Sequence, residues 1–118
     1  MRKIIFYKMR DIRRSVRRLA RHAEGSEKNI EAYLVGRVEE AGGLCLKFTS
    51  HTETGYPDRL VLLPGGRTAW VELKSQGEKP RRIQEVRMEK LRLLGFDVHV
   101  ADSKEKVNEI MEGFSRGV

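Results

Sequence analysis

Three charged residues interrupt two apolar segments of the sequence at positions where their side chains can act together. Glu72 and Lys74 stand two residues apart in TAWVELK, and Asp58 directly precedes RLVLL. Side chains alternate between the two faces of a strand, so Glu72 and Lys74 share one face. They form either an ion pair on a solvated sheet surface or, together with Asp58, a group suited to metal-assisted phosphodiester hydrolysis.

The turn between the two segments decides whether Asp58 joins Glu72. A three-residue loop, 64–66, pairs residues whose numbers add up to 130 and sets Asp58 opposite Glu72. A four-residue loop that includes Arg67 turns Asp58 to the other face unless a bulge restores it. If the two carboxylates meet, their repulsion favours a cation between them, and an incomplete set of oxygen ligands suits Mg²⁺.

A third carboxylate can come from the first helix of the core. Ile30, Leu34 and Val38 form an apolar stripe, and Glu31 borders it. Glu27 lies one turn earlier on the same face and is the competing candidate, although stabilisation of the helix dipole and surface solvation explain it better. The residues alone leave both open, and Glu31 is the preferred candidate.

The hydrophobic periodicity predicts one α/β domain with the order α-β-β-β-α-β-α and a mixed sheet of about four strands flanked by helices. The last strand is expected beyond the hairpin, reached by a crossover helix that begins at Pro80 and buries Ile83, Val86, Leu91 and Leu94. Ser26 and Ser103 are predicted to cap the first and last helices. The predicted helices begin at 27, 80 and 104, and the predicted strands cover 44–49, 59–63, 68–74 and 97–101.

The positive charge is concentrated at the amino-terminal end. Residues 1–30 contain 10 Lys/Arg against 3 Asp/Glu, whereas the remaining residues contain 14 of each. Residues 1–25 are therefore predicted to be a basic helical arm on a core domain, 26–118, and nucleic acid or plain solvent is favoured over an anionic membrane surface. The DNA-binding candidates are the arginines of the arm and three cations at the predicted crossover helix: Arg13, Arg14, Arg17, Arg18, Arg21, Lys79, Arg81 and Arg82.

Composition excludes several classes of protein. The single cysteine, Cys45, cannot form an intramolecular disulfide, which fits a reducing, cytoplasmic location. No run of 18 apolar residues is present, so no membrane span is expected. The sequence has no glycine-rich phosphate loop, no pattern of zinc ligands and no nucleophile triad, and we expect no small-molecule cofactor.

The segments GYPDRLVLLPGGRTAWVELK and KPRRIQ resemble the VRR-NUC branch of the PD-(D/E)xK nuclease superfamily, and the resemblance extends over about 26–114. It implies a restriction-endonuclease-like core and cleavage of DNA that depends on Mg²⁺ or Mn²⁺. It also implies that Lys74 is the catalytic lysine and that Gln84 lies on a helix near the site. The implied metal ligands are Glu31, Asp58, Glu72 and the main-chain carbonyl of Leu73.

Small stand-alone members of that branch, from phages and bacteria, resemble Holliday-junction resolvases of DNA repair and recombination and act as homodimers. The resemblance thus implies a homodimer that cuts branched DNA in the cytoplasm, which is the host cytoplasm if the gene belongs to a phage. Cleavage of flaps is the alternative within the family. The rival from another class is a non-catalytic DNA-binding module that uses the basic arm.

Overall fold

A computed structural model describes residues 25–116; the arm arginines lie outside this range. The described chain contains three helices, α1 (Glu27–Glu40), α2 (Arg82–Leu93) and α3 (Lys104–Arg116), and four strands, β1 (Leu44–Lys47), β2 (Arg59–Leu63), β3 (Arg67–Leu73) and β4 (Val98–Ala101). Their order along the chain is the predicted one. Within residues 25–116, no helix is long and apolar enough to cross a membrane.

The four strands form one mixed sheet in the order β1-β2-β3-β4. The β1–β2 and β2–β3 pairs are antiparallel, and β4 runs parallel to β3 after the crossover through α2. The β2–β3 register pairs Leu63 with Arg67, so the loop has three residues, 64–66. Gly65 and Gly66 adopt φ angles of 85° and 76°, a left-handed conformation that glycine enters without steric cost. Of the two predicted loop lengths, three residues is therefore the correct one.

The two faces of the sheet bury different cores. On one face, Val61, Val71 and Leu73 pack with Ile30 and Leu34 of α1 and with α3. On the other face, Trp70 packs against α2, whose buried residues are Gln84, Met88 and Leu91. Glu72 lies two residues after Trp70 and so projects towards α2.

Both serine caps are confirmed. Ser26 Oγ accepts a hydrogen bond from the Asn29 N–H at 3.2 Å, and Ser103 Oγ accepts one from the Lys106 N–H at 3.0 Å. These bonds satisfy amide groups that the first turn of a helix leaves without a partner.

The predicted inward face of α2 is largely wrong. Ile83, Val86 and Leu94 are exposed, and only Leu91 of the predicted set is buried. The helix is rotated so that Gln84 points inward. It also begins at Arg82 rather than Pro80, because Arg81 remains extended and donates its N–H to the Gln84 side chain.

Candidate active site

Asp58 and Glu72 meet at the open end of the β2–β3 hairpin. Arg59 pairs with Val71, so the next residues outward, Asp58 and Glu72, stand opposite each other. The Leu73 N–H donates to Asp58 Oδ2 at 2.8 Å, and the Phe48 N–H donates to the Asp58 main-chain oxygen at 2.9 Å. Asp58 is thus tied to both neighbouring strands, which holds its carboxylate beside Glu72.

Glu72 is a buried carboxylate that lacks a full set of donors. Its side chain is 1% exposed, and its Oε1 accepts a hydrogen bond from Gln84 Nε2 at 3.2 Å. Lys74 Nζ lies 4.0 Å from the same oxygen. The other oxygen, Oε2, is buried and has no hydrogen-bond partner among the described residues. A buried charge with an unsatisfied oxygen is costly. The ion pair with Lys74 leaves Oε2 unsatisfied, so it does not by itself account for a buried carboxylate here.

The pKa of Glu72 is raised to about 8, mainly by burial and then by the hydrogen bond and negative charge of Asp58, while Lys74 lowers it. Two ionised carboxylates have no proton to share, so one must be protonated for a hydrogen bond to form between them. Without a cation, the pair therefore retains a proton at neutral pH. A divalent cation can replace that proton and satisfy Glu72 Oε2, so the residues fit the hard metal ion that the sequence predicts.

Gln84 holds the orientation of Glu72. Its Oε1 accepts the Arg81 N–H at 2.8 Å at the start of α2, so its Nε2 is left to donate to Glu72. The amide cannot flip without breaking both bonds. The predicted position of Gln84 near the acidic cluster agrees with this arrangement.

Lys74 lies just beyond the end of β3. Its N–H donates to the Ala101 carbonyl at 3.0 Å, which extends the β3–β4 pairing by one residue. Its side chain is 13% exposed, so the ammonium group stands at the boundary between the buried carboxylates and solvent. An ammonium at this boundary can contact a bound phosphate while it remains beside Glu72.

Glu31 is engaged away from this cluster. Its Oε2 lies 3.0 Å from Arg59 Nε, and another Arg59 nitrogen donates to the Cys45 carbonyl at 3.0 Å. Arg59 alternates with Asp58 along β2 and so projects towards α1, whereas Glu72 projects towards α2. The sequence analysis did not single out Arg59, which links α1 to β1 through these two contacts.

Glu27 lies in the first turn of α1, next to the carboxyl end of β3. Its N–H donates to Ser75 Oγ at 3.3 Å, and the Gln76 N–H donates to the Gly25 carbonyl at 2.8 Å. Burial raises the pKa of Glu27, and the negative charge of Asp58 raises it further, while Lys74 lowers it. Glu27 is therefore electrostatically coupled to the cluster.

The remaining predicted site residues lie around the acidic cluster of Asp58 and Glu72. Lys79, Arg81 and Arg82 lie where α2 begins, with Arg81 and Arg82 exposed to solvent. Leu73 separates Glu72 from Lys74 in the chain, and its N–H is taken by Asp58. Within residues 25–116, no group of three or more acidic, cysteine or histidine side chains is placed so that it could hold a metal ion. Water and phosphate commonly complete the shell of a catalytic Mg²⁺ in such incomplete sites.

This chain is similar to a curated phage protein and to a solved structure. No family model matches the chain. A protein of Acyrthosiphon pisum secondary endosymbiont phage 1, named "Putative nuclease p44", is 44% identical over 79 residues, which cover 67% of this chain and 85% of the phage protein. A solved structure described as a VRR_NUC domain is 34% identical, with a TM-score of 0.71 over 73% of this chain and 94% of that one.

Proposed function

This chain belongs to the VRR-NUC family of nucleases, and we propose that it is a divalent-metal-dependent endonuclease that cuts branched DNA. One observation carries the metal dependence: Glu72 is buried beside Asp58 with an oxygen that accepts no hydrogen bond from the described residues. Such an arrangement is stable as a charged pair only when a cation joins it.

The residues that would hold Mg²⁺ or Mn²⁺ are Asp58, Glu72 and the carbonyl of Leu73. A bound divalent ion supplies positive charge to a phosphate oxygen and lowers the pKa of water. Groups of the protein hold the two carboxylates in place. Gln84 keeps Glu72 in one orientation, and the Leu73 N–H does the same for Asp58.

Lys74 contributes charge and position. The ammonium group stands beside Glu72 at the solvent boundary, where a phosphodiester can reach it. As phosphorus becomes five-coordinate, its equatorial oxygens gain negative charge, which an ammonium group in a partly buried site stabilises strongly. Lys74 also limits where the attacking water can stand, because it donates hydrogen bonds and accepts none.

Basic residues near the start of α2 support DNA as the substrate. Lys79, Arg81 and Arg82 follow Lys74 in the chain and surround the start of α2. The described chain begins at Gly25, whose carbonyl accepts the Gln76 N–H two residues after Lys74. Gly25 is thus held beside the carboxyl end of β3, and the DNA-binding arginines predicted for residues 1–25 precede it in the sequence.

A homodimer fits this substrate, because a twofold pair of sites can cut two symmetric strands of a four-way junction. The outer part of the sheet offers a surface for a second copy. Leu44 and Leu46 on the edge strand β1 are 59% and 45% exposed. Large exposed apolar side chains on neighbouring positions commonly mark protein contacts. Molar mass in solution tests the dimer.

The decisive experiment incubates the protein with labelled four-way junction, flap and plain duplex in Mg²⁺, Mn²⁺ or EDTA. We expect metal-dependent cleavage of the junction that Lys74→Ala reduces by more than about 100-fold without loss of binding. Lys106→Ala on α3 is the matched control. Preferential cutting of the flap would favour the alternative substrate. Binding without cleavage in any metal would favour the non-catalytic DNA-binding module and refute the nuclease.

A further inference from the structure

We propose that Arg87 is a positioning residue of the active site: it holds the segment between β1 and β2 against α2, and so keeps both Asp58 and Gln84 in place. This inference rests on the proposed nuclease activity. Arg87 lies on α2 within one turn of Gln84, and the segment leads directly to Asp58.

Arg87 makes two contacts with this segment. Its Nε donates a hydrogen bond to the Thr54 carbonyl at 2.9 Å. Its guanidinium lies over the Tyr56 ring, with Cζ 5.3 Å from the ring centroid, a distance at which a cation is attracted to an aromatic face. The planar guanidinium makes both contacts at once, whereas the ammonium group of a lysine is a single point charge. The two contacts attach residues 54–56 to α2.

Gly55 lies between these two contacts and directly against the first turn of α2. Its φ angle is 92°, and a Cβ atom at this position would lie 2.9 Å from Ile83 Cγ1 and 3.1 Å from the Ile83 carbonyl oxygen. Glycine therefore allows the backbone of the segment to approach the helix closely. The approach occurs beside Ile83, the residue that precedes Gln84.

The Tyr56 ring joins the same segment to the sheet. It contacts Phe48 edge-on at a centroid distance of 5.9 Å, and Phe48 packs edge-on against Trp70 of β3 at 4.9 Å. Pro57 follows Tyr56 and is fully buried, and Asp58 comes next. Because this stretch is closely packed, a displacement of the Tyr56 ring also displaces the backbone that carries Asp58.

The contacts with Arg87 also secure the first turn of α2. Gln84 stands in that turn, whereas the apolar residues that α2 buries, Met88 and Leu91, lie in its second and third turns. The contacts with residues 54–56 therefore help to keep Gln84 Nε2 within hydrogen-bond distance of Glu72. One arginine thus supports two groups of the site that come from different elements.

Conservative variants separate this role from a direct contact with DNA phosphate, which a basic side chain near the site can also make. Arg87→Lys keeps the positive charge but cannot make both contacts with the segment. Arg92→Lys is the matched control, because Arg92 lies on the same helix and also donates to a main-chain carbonyl, that of Val98, at 3.2 Å. Gln84→Ala and the double variant Gln84→Ala/Arg87→Lys show whether Arg87 acts through Gln84.

The measurements use the full chain. The first is the single-turnover rate of junction cleavage at saturating protein, and the second is the affinity for the junction in EDTA at several salt concentrations. The third is hydrogen exchange of the amides in residues 50–57, which reports on the attachment of the segment without any need for cleavage.

We expect Arg87→Lys to slow single-turnover cleavage by about 10-fold, a loss typical of residues that orient the groups of a metal site, with affinity within about twofold. Exchange in residues 50–57 should become faster, and Arg92→Lys should match the wild type throughout. The double variant should lose less activity than the product of the two single losses.

A wild-type rate in Arg87→Lys would show that the charge alone suffices and would overturn the inference. Unchanged exchange in residues 50–57 would also overturn it, as would a loss of affinity with an unchanged single-turnover rate, the result expected of a phosphate contact. Wild-type protein that cuts no substrate in any metal would instead refute the proposed function, and hydrogen exchange would still decide whether Arg87 holds the segment.

Discussion

Replacing Glu72 with glutamine should stabilise the metal-free protein at alkaline pH while it abolishes cleavage. Glu72 has an ordinary pKa of 4.5 when unfolded and about 8 when folded. Between these two values the folded state binds more protons than the unfolded state, so the free energy of unfolding falls as pH rises. The destabilisation is absent below about pH 4.5 and complete above about pH 8.

The magnitude follows from the two pKa values. The difference between 4.5 and about 8 corresponds to roughly 5 kcal/mol at 1.36 kcal/mol for each pH unit. The cluster opens to solvent at Lys74, which is 13% exposed, and water screening reduces the effect. We therefore expect the charge of Glu72 to lower the free energy of unfolding by about 2–3 kcal/mol at alkaline pH. Glutamine conserves the shape, can accept from Gln84 and can donate to Asp58, so it removes the charge without leaving a buried group unpaired.

The assay is urea unfolding of wild-type protein and Glu72→Gln in EDTA at several pH values from 5 to 8.5. The variant should be more stable by about 2–3 kcal/mol at pH 8.5, and the difference should shrink to below about 1 kcal/mol at pH 5. Saturating Mg²⁺ should stabilise the wild type and close the gap at high pH. A variant that is less stable than the wild type at pH 8.5 in EDTA would refute the reasoning, as would a difference that does not vary with pH.

Two other predictions concern the support of the site and its access to DNA. Gln84→Glu keeps an acceptor for the Arg81 N–H but replaces the donor to Glu72 with a second buried carboxylate, so cleavage should fall about 10–100-fold and the melting temperature should fall as well; unchanged kinetics would show that Gln84 does not position Glu72. Deleting residues 2–24 should weaken binding to duplex DNA and flatten the slope of log affinity against log salt by about 0.9 for each phosphate that the shortened protein no longer neutralises. An unchanged slope would assign the arm another role.

Hydrophobic periodicity was sufficient to predict the order of the elements and the position of β4 beyond the hairpin, because each element buries a stripe or a face of the expected period. The hairpin register could not be decided in this way. Choosing between three and four loop residues depended on Arg67, which pairs with Leu63 and donates to the Phe114 carbonyl on α3. That interaction joins residues far apart in the chain, so no local pattern could reveal it.

The inward face of α2 was mispredicted for a functional reason. A helix normally buries its apolar stripe, which suggested Ile83 and Val86. Glu72, buried on the facing strand, needs a donor, and Gln84 provides it. The helix buries Gln84 on the same side as Met88 and Leu91, so Ile83 and Val86 remain exposed.

The sequence also left two candidates, Glu27 and Glu31, for the third carboxylate. Glu27 and Glu31 lie one turn apart on the same face of α1, so helical periodicity cannot separate them. Their difference arises from β2, where Arg59 projects towards α1 and takes Glu31 as its partner. Side chains alternate along β2, so Arg59 faces α1, where it pairs with Glu31, and its neighbour Asp58 faces the acidic cluster. In this chain, Asp58 and Arg59 at the start of β2 thus face opposite sides of the sheet, the first beside Glu72 and the second beside Glu31.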